Sequence, residues 1–457
     1  MSVVPQTSET TALRFPTGFV WGAATAAFQI EGSTTVDGRI DSNWDEFCRR
    51  PGAVANGDTG EPGADHYRRY AADVELMSSL GLGAYRFSIA WPRLANLSFY
   101  DRLVDCLLDK GITPYATLYH WDLPQHLEEK GGWTNRDTAY RFAEYASAVV
   151  NLLGDRVAAW QTLNEPWCSA FAGYASGDHA PGIQNAESAI AAVHHLLLGH
   201  GLAMSAIRDK AKNTPAGITL NPYPVWAATD AEADLDAARR IDGLQNRIFT
   251  DPVLLGEYPP DMLVDLAPYG LPELIQDGDL AVIGQPIDML GINYYRGYLV
   301  AAGDPEPGPT VWIGAEDVRF LKTGHPVTGM DWEVQPEGLT EVLVLLNERF
   351  PGLPMYVTEN GASYPDSFTA DGEIHDTERI AFLDGHLRAA HAAVEQGVDL
   401  RGYFCWTLLD NLEWAWGYDK RFGLVHVDFE TQKRTLKDSA RWYAGVIEHN
   451  GLTAADD

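Results

Sequence analysis

The chain has 457 residues, 46% of them hydrophobic, with 33 Lys and Arg against 64 Asp and Glu, a formal net charge of −31. That composition excludes a disordered chain. So acidic an exterior disfavours nucleic acid and anionic membranes as partners, because affinity for both comes from Lys and Arg, and otherwise reads as a solvated, solubilising surface.

Fourteen Trp, 20 Tyr and 16 Phe exceed what a core requires, so some are expected to line a cavity that is part dry and part wet. The start, MSVVPQTSETTALRFP, has no basic patch followed by an apolar run. Residues 1–13 therefore read as a flexible leader, 14–451 as the folded body and 452–457 as a tail. Cys48, Cys106, Cys168 and Cys405 show neither CxxC nor zinc-like Cys/His spacing. No run of 18 apolar residues offers a membrane span, so the expected location is the cytosol.

Short apolar or aromatic runs alternate with longer segments whose apolar residues recur every three or four positions. The predicted strands are Phe19–Thr25, Ala84–Trp91, Ile112–His120, Ala158–Glu165, Ala216–Val225, Met289–Tyr295, Pro354–Asn360 and Arg401–Leu409. The predicted helices are Asp65–Leu80, Phe99–Lys110, Arg136–Leu153, Glu187–Lys210, Glu232–Thr250, Glu337–Arg349, Thr377–Gln396 and Lys437–His449. Gly81, Gly111, Gly154 and Gly397 stand where helices should end. Eight strand and helix pairs predict a single α/β domain, a (β/α)8 barrel with its site at the carboxyl ends of the strands. A doubly wound sheet usually offers GxGxxG after its first strand, where this chain has WGAAT. The Gly, Pro and acid-rich segment Ala301–Met330 is too long for a connector and is expected near the mouth.

At the strand ends stand Tyr119-His120-Trp121-Asp122, Asn164-Glu165-Pro166, Asn293-Tyr294-Tyr295, Glu359-Asn360-Gly361 and Trp406. Taken singly, Glu165 before Pro166 reads as a helix start, and Gly361 as a turn residue with positive φ. Taken together, both Glu end strands on opposite sides of one mouth and can face each other. Two carboxyls, aromatic walls and Asn, Gln and His donors suit a polyhydroxylated ring, and that combination points to glycoside hydrolysis.

Five strings then carry a family resemblance from Phe15 to about Asn450: FPTGFVWGAATAAFQIEG (Phe15–Gly32), TLYHWDLP (Thr117–Pro124), TLNEP (Thr162–Pro166), YVTENG (Tyr356–Gly361) and DNLEWAWGYDKRFGL (Asp410–Leu424). In this order they resemble the family 1 glycoside hydrolases, the β-glucosidase family. The resemblance implies Glu165 as acid/base and Glu359 as nucleophile. It also implies a sugar pocket from Gln29, His120, Trp121, Asn164, Asn293, Tyr295, Trp406, Glu413, Trp414 and Phe422, with Arg86 and Tyr295 beside the nucleophile. Trp167, Cys168, Tyr174 and Trp332 are candidates for the leaving-group side.

On those roles, Arg86 and Tyr295 should hold the pKa of Glu359 low, while burial and the charge of Glu359 keep Glu165 protonated. A carboxyl separation of about 5 Å and net retention are expected, where inversion would need about 9 Å. Glu413 as a carboxylate should accept hydrogen bonds from sugar hydroxyls and repel a phosphate, disfavouring 6-phosphoglycosides. The expected substrates are β-glucosides and short cello-oligosaccharides, with galactosides and fucosides still open and a non-catalytic sugar-binding barrel disfavoured because both Glu are present. No cofactor and no metal are expected, since HExxH, GKS/GKT and GxSxG are all missing and the first strand end supplies no His pair. His194 and His195, on an apolar helix, are given no role. Oligomeric state is not legible. One departure from the family stands out: only Leu94–Ser98 follow Trp91-Pro92-Arg93 where on the order of ten more residues are usual, so the barrel is expected to survive with an altered rim.

Overall fold

The computed structural model describes residues 12–305 and 307–453, so most of the leader and tail lie outside the described residues. Eight strands form a closed barrel: β1 (Val20–Ala24), β2 (Ala84–Ser88), β3 (Thr113–Tyr119), β4 (Ala159–Asn164), β5 (Ala216–Leu220), β6 (Met289–Asn293), β7 (Met355–Asn360) and β8 (Leu400–Trp406). Each pairs in parallel with its sequence neighbours, and β8 closes on β1 with Tyr403 opposite Trp21 and Trp406 opposite Ala24. All eight predicted strands are in place, most of them trimmed by a residue or two at the ends.

The crossover helices are α1 (His66–Ser79), α2 (Ser98–Asp109), α3 (Asp137–Leu153), α4 (Ala186–Lys210), α5 (Glu232–Asp242), α6 (Pro336–Arg349), α7 (Thr377–Glu395) and α8 (Asp438–His449). Helix α5 does not stop at Thr250: it passes through a π-helical turn, Gly243–Arg247, and continues as Ile248–Leu255 despite Pro252. Gly81, Gly111 and Gly397 adopt the left-handed conformation that ends a helix, but Gly154 remains right-handed at φ −66°. Its role is close packing instead, since a Cβ there would lie 2.5 Å from the Val150 carbonyl oxygen.

Helix α4 has 25 residues and by length and composition alone is apolar enough to cross a bilayer; 78% of its most apolar window is buried inside the protein, which makes it a core helix. Its three histidines are held structurally, His194 between Tyr258 and Asp279, His195 against the Trp133 carbonyl and His200 against the Thr162 hydroxyl.

At the amino end of the barrel Leu13 pairs with Leu452 and Arg14 with Gly451, so the leader and tail boundaries drawn from sequence cut through a small antiparallel pair. At the carboxyl end Val225–Ala227, Tyr298–Ala302 and Val318–Leu321 form a three-stranded sheet, which carries the Ala301–Met330 excursion to the mouth as expected.

The short connection after β2 works because it is anchored. Trp91–Arg93 make one tight turn, and buried Arg93 donates to Glu31 Oε2 (2.7 Å) and to the Gly32 and Ser33 carbonyls before α2 begins at Ser98. Beside it Ile40 and Leu94 stay exposed over an apolar cavity that also touches Trp91, Pro124 and Leu127.

Candidate active site

A cavity of about 310 Å³ opens at the carboxyl end of the barrel. Its lining includes His120, Trp121, Glu165, Trp167, Cys168, Tyr295, Trp332, Glu359, Trp406, Glu413, Trp414 and Phe422, twelve of the residues singled out from sequence.

A lattice of side chains from inside the strands holds the two acids. Arg86, in the middle of β2 and 1% exposed, donates from Nη1 to Glu359 Oε1 (2.6 Å), from Nη2 to Asn164 Oδ1 (2.6 Å) and from Nε to Gln161 Oε1 (2.5 Å). Tyr295 Oη donates to the other oxygen of Glu359 at 2.8 Å. Asn293, at the end of β6, donates to Glu165 Oε1 (2.5 Å) and Asn164 Oδ1 (3.1 Å), and its own Oδ1 accepts from Thr358 (2.7 Å). Cys168 Sγ donates to Glu165 Oε2 at 3.0 Å. Glu359 thus has a cation and a phenol, whereas Glu165 has an amide and a thiol.

Both carboxyls are pushed up by burial, Glu165 to about 7 with the charge of Glu359 adding to the effect. For Glu359 the outcome differs from the expectation of a low pKa: desolvation raises it, and Arg86 and Tyr295 only reduce the rise. The cation still decides where one shared proton goes. A buried carboxylate paired with a guanidinium keeps its charge more readily than one bonded to neutral donors, so Glu165 is the neutral member.

Polar atoms left without protein partners mark where a ligand's hydroxyls would bind. Gln29 Nε2 donates to Asn411 Oδ1 (3.0 Å) and the Leu412 carbonyl (2.7 Å), leaving Oε1 free as an acceptor. Asn164 Oδ1 already accepts twice, so its amide nitrogen donates to His120 Nε2 at 3.1 Å. The proton of neutral His120 must then sit on Nδ1, which has no partner and is a free donor. Burial holds His120 well below the usual imidazole range, keeping it neutral. Glu413 Oε2 is also unpartnered. Burial, with the charges of Glu359 and Glu165, lifts Glu413 to about 8, so at neutral pH it can donate as well as accept. Glu413 is therefore not the fixed negative charge expected to repel a phosphate. Of the nearby cations, Arg421 is paired with Asp410, whereas Lys420 meets the Gly329 carbonyl and the Trp416 ring and Arg296 lies over Tyr298 and Trp332.

Three of the ten non-glycine residues with positive φ among the described residues line this cavity. Trp121 (φ 79°), Glu165 (φ 44°) and Trp414 (φ 49°) occupy the left-handed region. Trp121 is fixed by its indole bond to the Asn164 carbonyl (2.8 Å). Glu165 also does what the plainer reading expected, since Pro166 and Trp167 open a helical turn directly after it. Gly361 does not: its φ is not positive, and glycine is required because a Cβ would lie 1.7 Å from the Trp406 carbonyl oxygen.

Gln29, Arg86, Asn164 and Asn293 stand behind the lining rather than in it. Tyr174 is corrected from a leaving-group candidate to a structural residue: 1% exposed, it donates to Glu128 Oε2 (2.8 Å) and accepts from the Trp133 amide (3.0 Å), away from the cavity. The lining also holds Asn221, Tyr223, Arg296, Tyr298, Val311, Met330, Asp178, His179 and Trp416, which sequence reasoning missed. Applying the strand-end rule to β5 would have found Asn221 and Tyr223; the others come from the segments beyond the barrel strands, Tyr298 from the three-stranded sheet among them.

A barrel with paired acids and unpartnered hydroxyl-binding groups at its mouth defines a sugar-processing hydrolase, and the chain belongs to glycosyl hydrolase family 1, whose sequence model matches residues 11–452. Among its relatives, the thermostable β-glucosidase B of Thermobispora bispora is 50% identical, over 96% of this chain and 92% of that protein. The bifunctional β-D-glucosidase/β-D-fucosidase of Bifidobacterium breve is 46% identical, over 95% of this chain and 98% of that protein. Among solved structures, the psychrophilic β-glucosidase BglU of Micrococcus antarcticus superposes with a TM-score of 0.93 at 50% identity, covering 96% of this chain and 98% of that one.

Proposed function

We propose that this protein is a retaining β-glucosidase that releases terminal β-D-glucosyl residues from β-glucosides and short cello-oligosaccharides. The observation that carries the residue roles is the unequal support of the two acids: Arg86 and Tyr295 grip Glu359, while Glu165 has only neutral partners. In the first step ionised Glu359 attacks the anomeric carbon, the bond to the leaving oxygen breaks, and that oxygen takes the proton of Glu165. Esterification removes the charge of Glu359, so the pKa of Glu165 falls. Glu165 then takes a proton from water as the water attacks the anomeric carbon, the ester breaks, and sugar leaves with its configuration retained. A carboxyl separation of about 5 Å goes with this mechanism. In the inner pocket Gln29, His120 and Glu413 would exchange hydrogen bonds with sugar hydroxyls while Trp406 and Trp414 offer apolar faces.

The test is to trap a 2-deoxy-2-fluoroglucosyl ester and sequence the labelled peptide by mass spectrometry. The label should lie on Glu359, and a label on any other side chain would refute the assignment. Activity on both glucosides and fucosides is a second reading, supported by the Bifidobacterium breve relative named for both; a panel of nitrophenyl glycosides, with and without a 6-phosphate, measures that breadth. We further propose a cytosolic location, supported by four free thiols, with cell fractionation as its check.

A further inference from the structure

Cys168 was expected only to wall the leaving-group side. Its sulfur instead lies 3.0 Å from Glu165 Oε2, and its backbone amide donates to the Glu165 carbonyl at 3.0 Å. The residue opens a π-helical segment, Cys168–Ser176, directly after the strained Glu165-Pro166 corner, and it lines the cavity.

The opposite oxygen of Glu165 is already taken. Asn293 meets Oε1 with its amide nitrogen, because its Oδ1 is held by the Thr358 hydroxyl. An amide NH2 can only donate. Oε1 is therefore poorly placed to carry a proton, and the proton that Glu165 transfers belongs on Oε2, beside the thiol. A thiol is both a weak donor and a weak acceptor. It can donate to Oε2 when Glu165 is a carboxylate, and turn to accept when Glu165 is an acid. Among the partners of Glu165, only this one suits both charge states.

We infer that Cys168 is a positioning residue for the proposed acid/base: Asn293 and Cys168 together orient the Glu165 carboxyl, with the thiol as the two-way partner of the oxygen that gives up and regains the proton. The inference rests on the proposed role of Glu165. The neighbouring thiolate is disfavoured by burial and by the charge of Glu165, so the group acts as a neutral S–H.

The test compares Cys168→Val and Cys168→Ala, which remove the two-way partner, with Cys168→Ser, which keeps one. The alkaline limb of kcat/KM reports loss of the Glu165 proton. Without a donor to the carboxylate, the anion is less stable, so the limb should move to higher pH by about half a unit in the Val and Ala variants and stay or move down in the Ser variant. On a dinitrophenyl glucoside, turnover limited by the second step should fall several-fold in Val and Ala and recover in Ser. An unmoved limb in both apolar variants, with only KM for bulky leaving groups altered, would overturn the inference and leave Cys168 as cavity wall; so would a Ser variant that behaves like Ala. If Val alone fails to fold, Ala carries the comparison. Azide rescue of Glu165→Ala is measured in parallel: rescue with an unmoved limb refutes the role of Cys168 alone, whereas failure of rescue refutes the acid/base reading beneath it.

Discussion

The floor and the rim of the cavity are built on different principles. At the floor, Arg86, Asn164, Asn293 and Glu359 come from strands β2, β4, β6 and β7, are at most 3% exposed, and are joined in one hydrogen-bonded chain. At the rim, Val311 and Met330 belong to the excursion after β6, Trp416 is 52% exposed, and Lys420 meets its ring at 5.0 Å. A strand fixes the direction of a side chain through its pairing register, so the floor is rigid and its chemistry set; a loop leaves the rim free to vary in what it admits. Changes at the floor should therefore act on kcat, and changes at the rim on KM.

The largest effect should come from Glu359→Ala, with turnover lost by on the order of 10⁴-fold or more in steady-state assays of purified enzyme. A smaller loss would mean that another group supplies the attack. Next is Glu165→Ala, expected to lose roughly 10²–10⁴-fold on glycosides with poor leaving groups and to regain part of it with azide on activated ones. In the wild-type enzyme kcat/KM should decline as pH rises through about 7, because the first step needs Glu165 protonated and higher pH removes that proton. A plateau extending to pH 9 would break the assignment.

The smallest effect separates the two regions most sharply. Trp416→Ala should raise KM for glucosides with large apolar leaving groups by about tenfold or less, the value of one exposed aromatic contact, and leave kcat for methyl glucoside unchanged. An equal fall in kcat for both substrates would place Trp416 with the floor.

The same division explains what was legible in the sequence. All eight strands were, because each is a short apolar run ending in polar or aromatic residues. The two acids stood out because they share one mouth. The error at Tyr174 has a physical cause: six residues after Cys168 in the helical turns of Cys168–Ser176 a side chain stands on a different face, so Cys168 turns toward Glu165 while Tyr174 turns to Glu128. The pKa of Glu359 and the charge of Glu413 were misjudged because residue types announce partners but not the depth of burial, and burial dominates both. Gly361 was assigned the wrong duty, since its need for glycine comes from Trp406, 45 residues later in the chain. The excursion was located by its length and composition, but which of its side chains reach the cavity depends on its pairing with Tyr298–Ala302, which no local pattern announces.

Glu165 holds the one proton of the pair because Glu359 has the cation. The most direct measurement is a ¹³C NMR titration of the Glu165 carboxyl in the free enzyme and again after Glu359 is esterified with a fluorosugar. The carboxyl should titrate near 7 in the free enzyme and shift clearly downward once the charge of Glu359 is gone. A Glu165 carboxyl that titrates at the same pH in both states would contradict this placement of the proton.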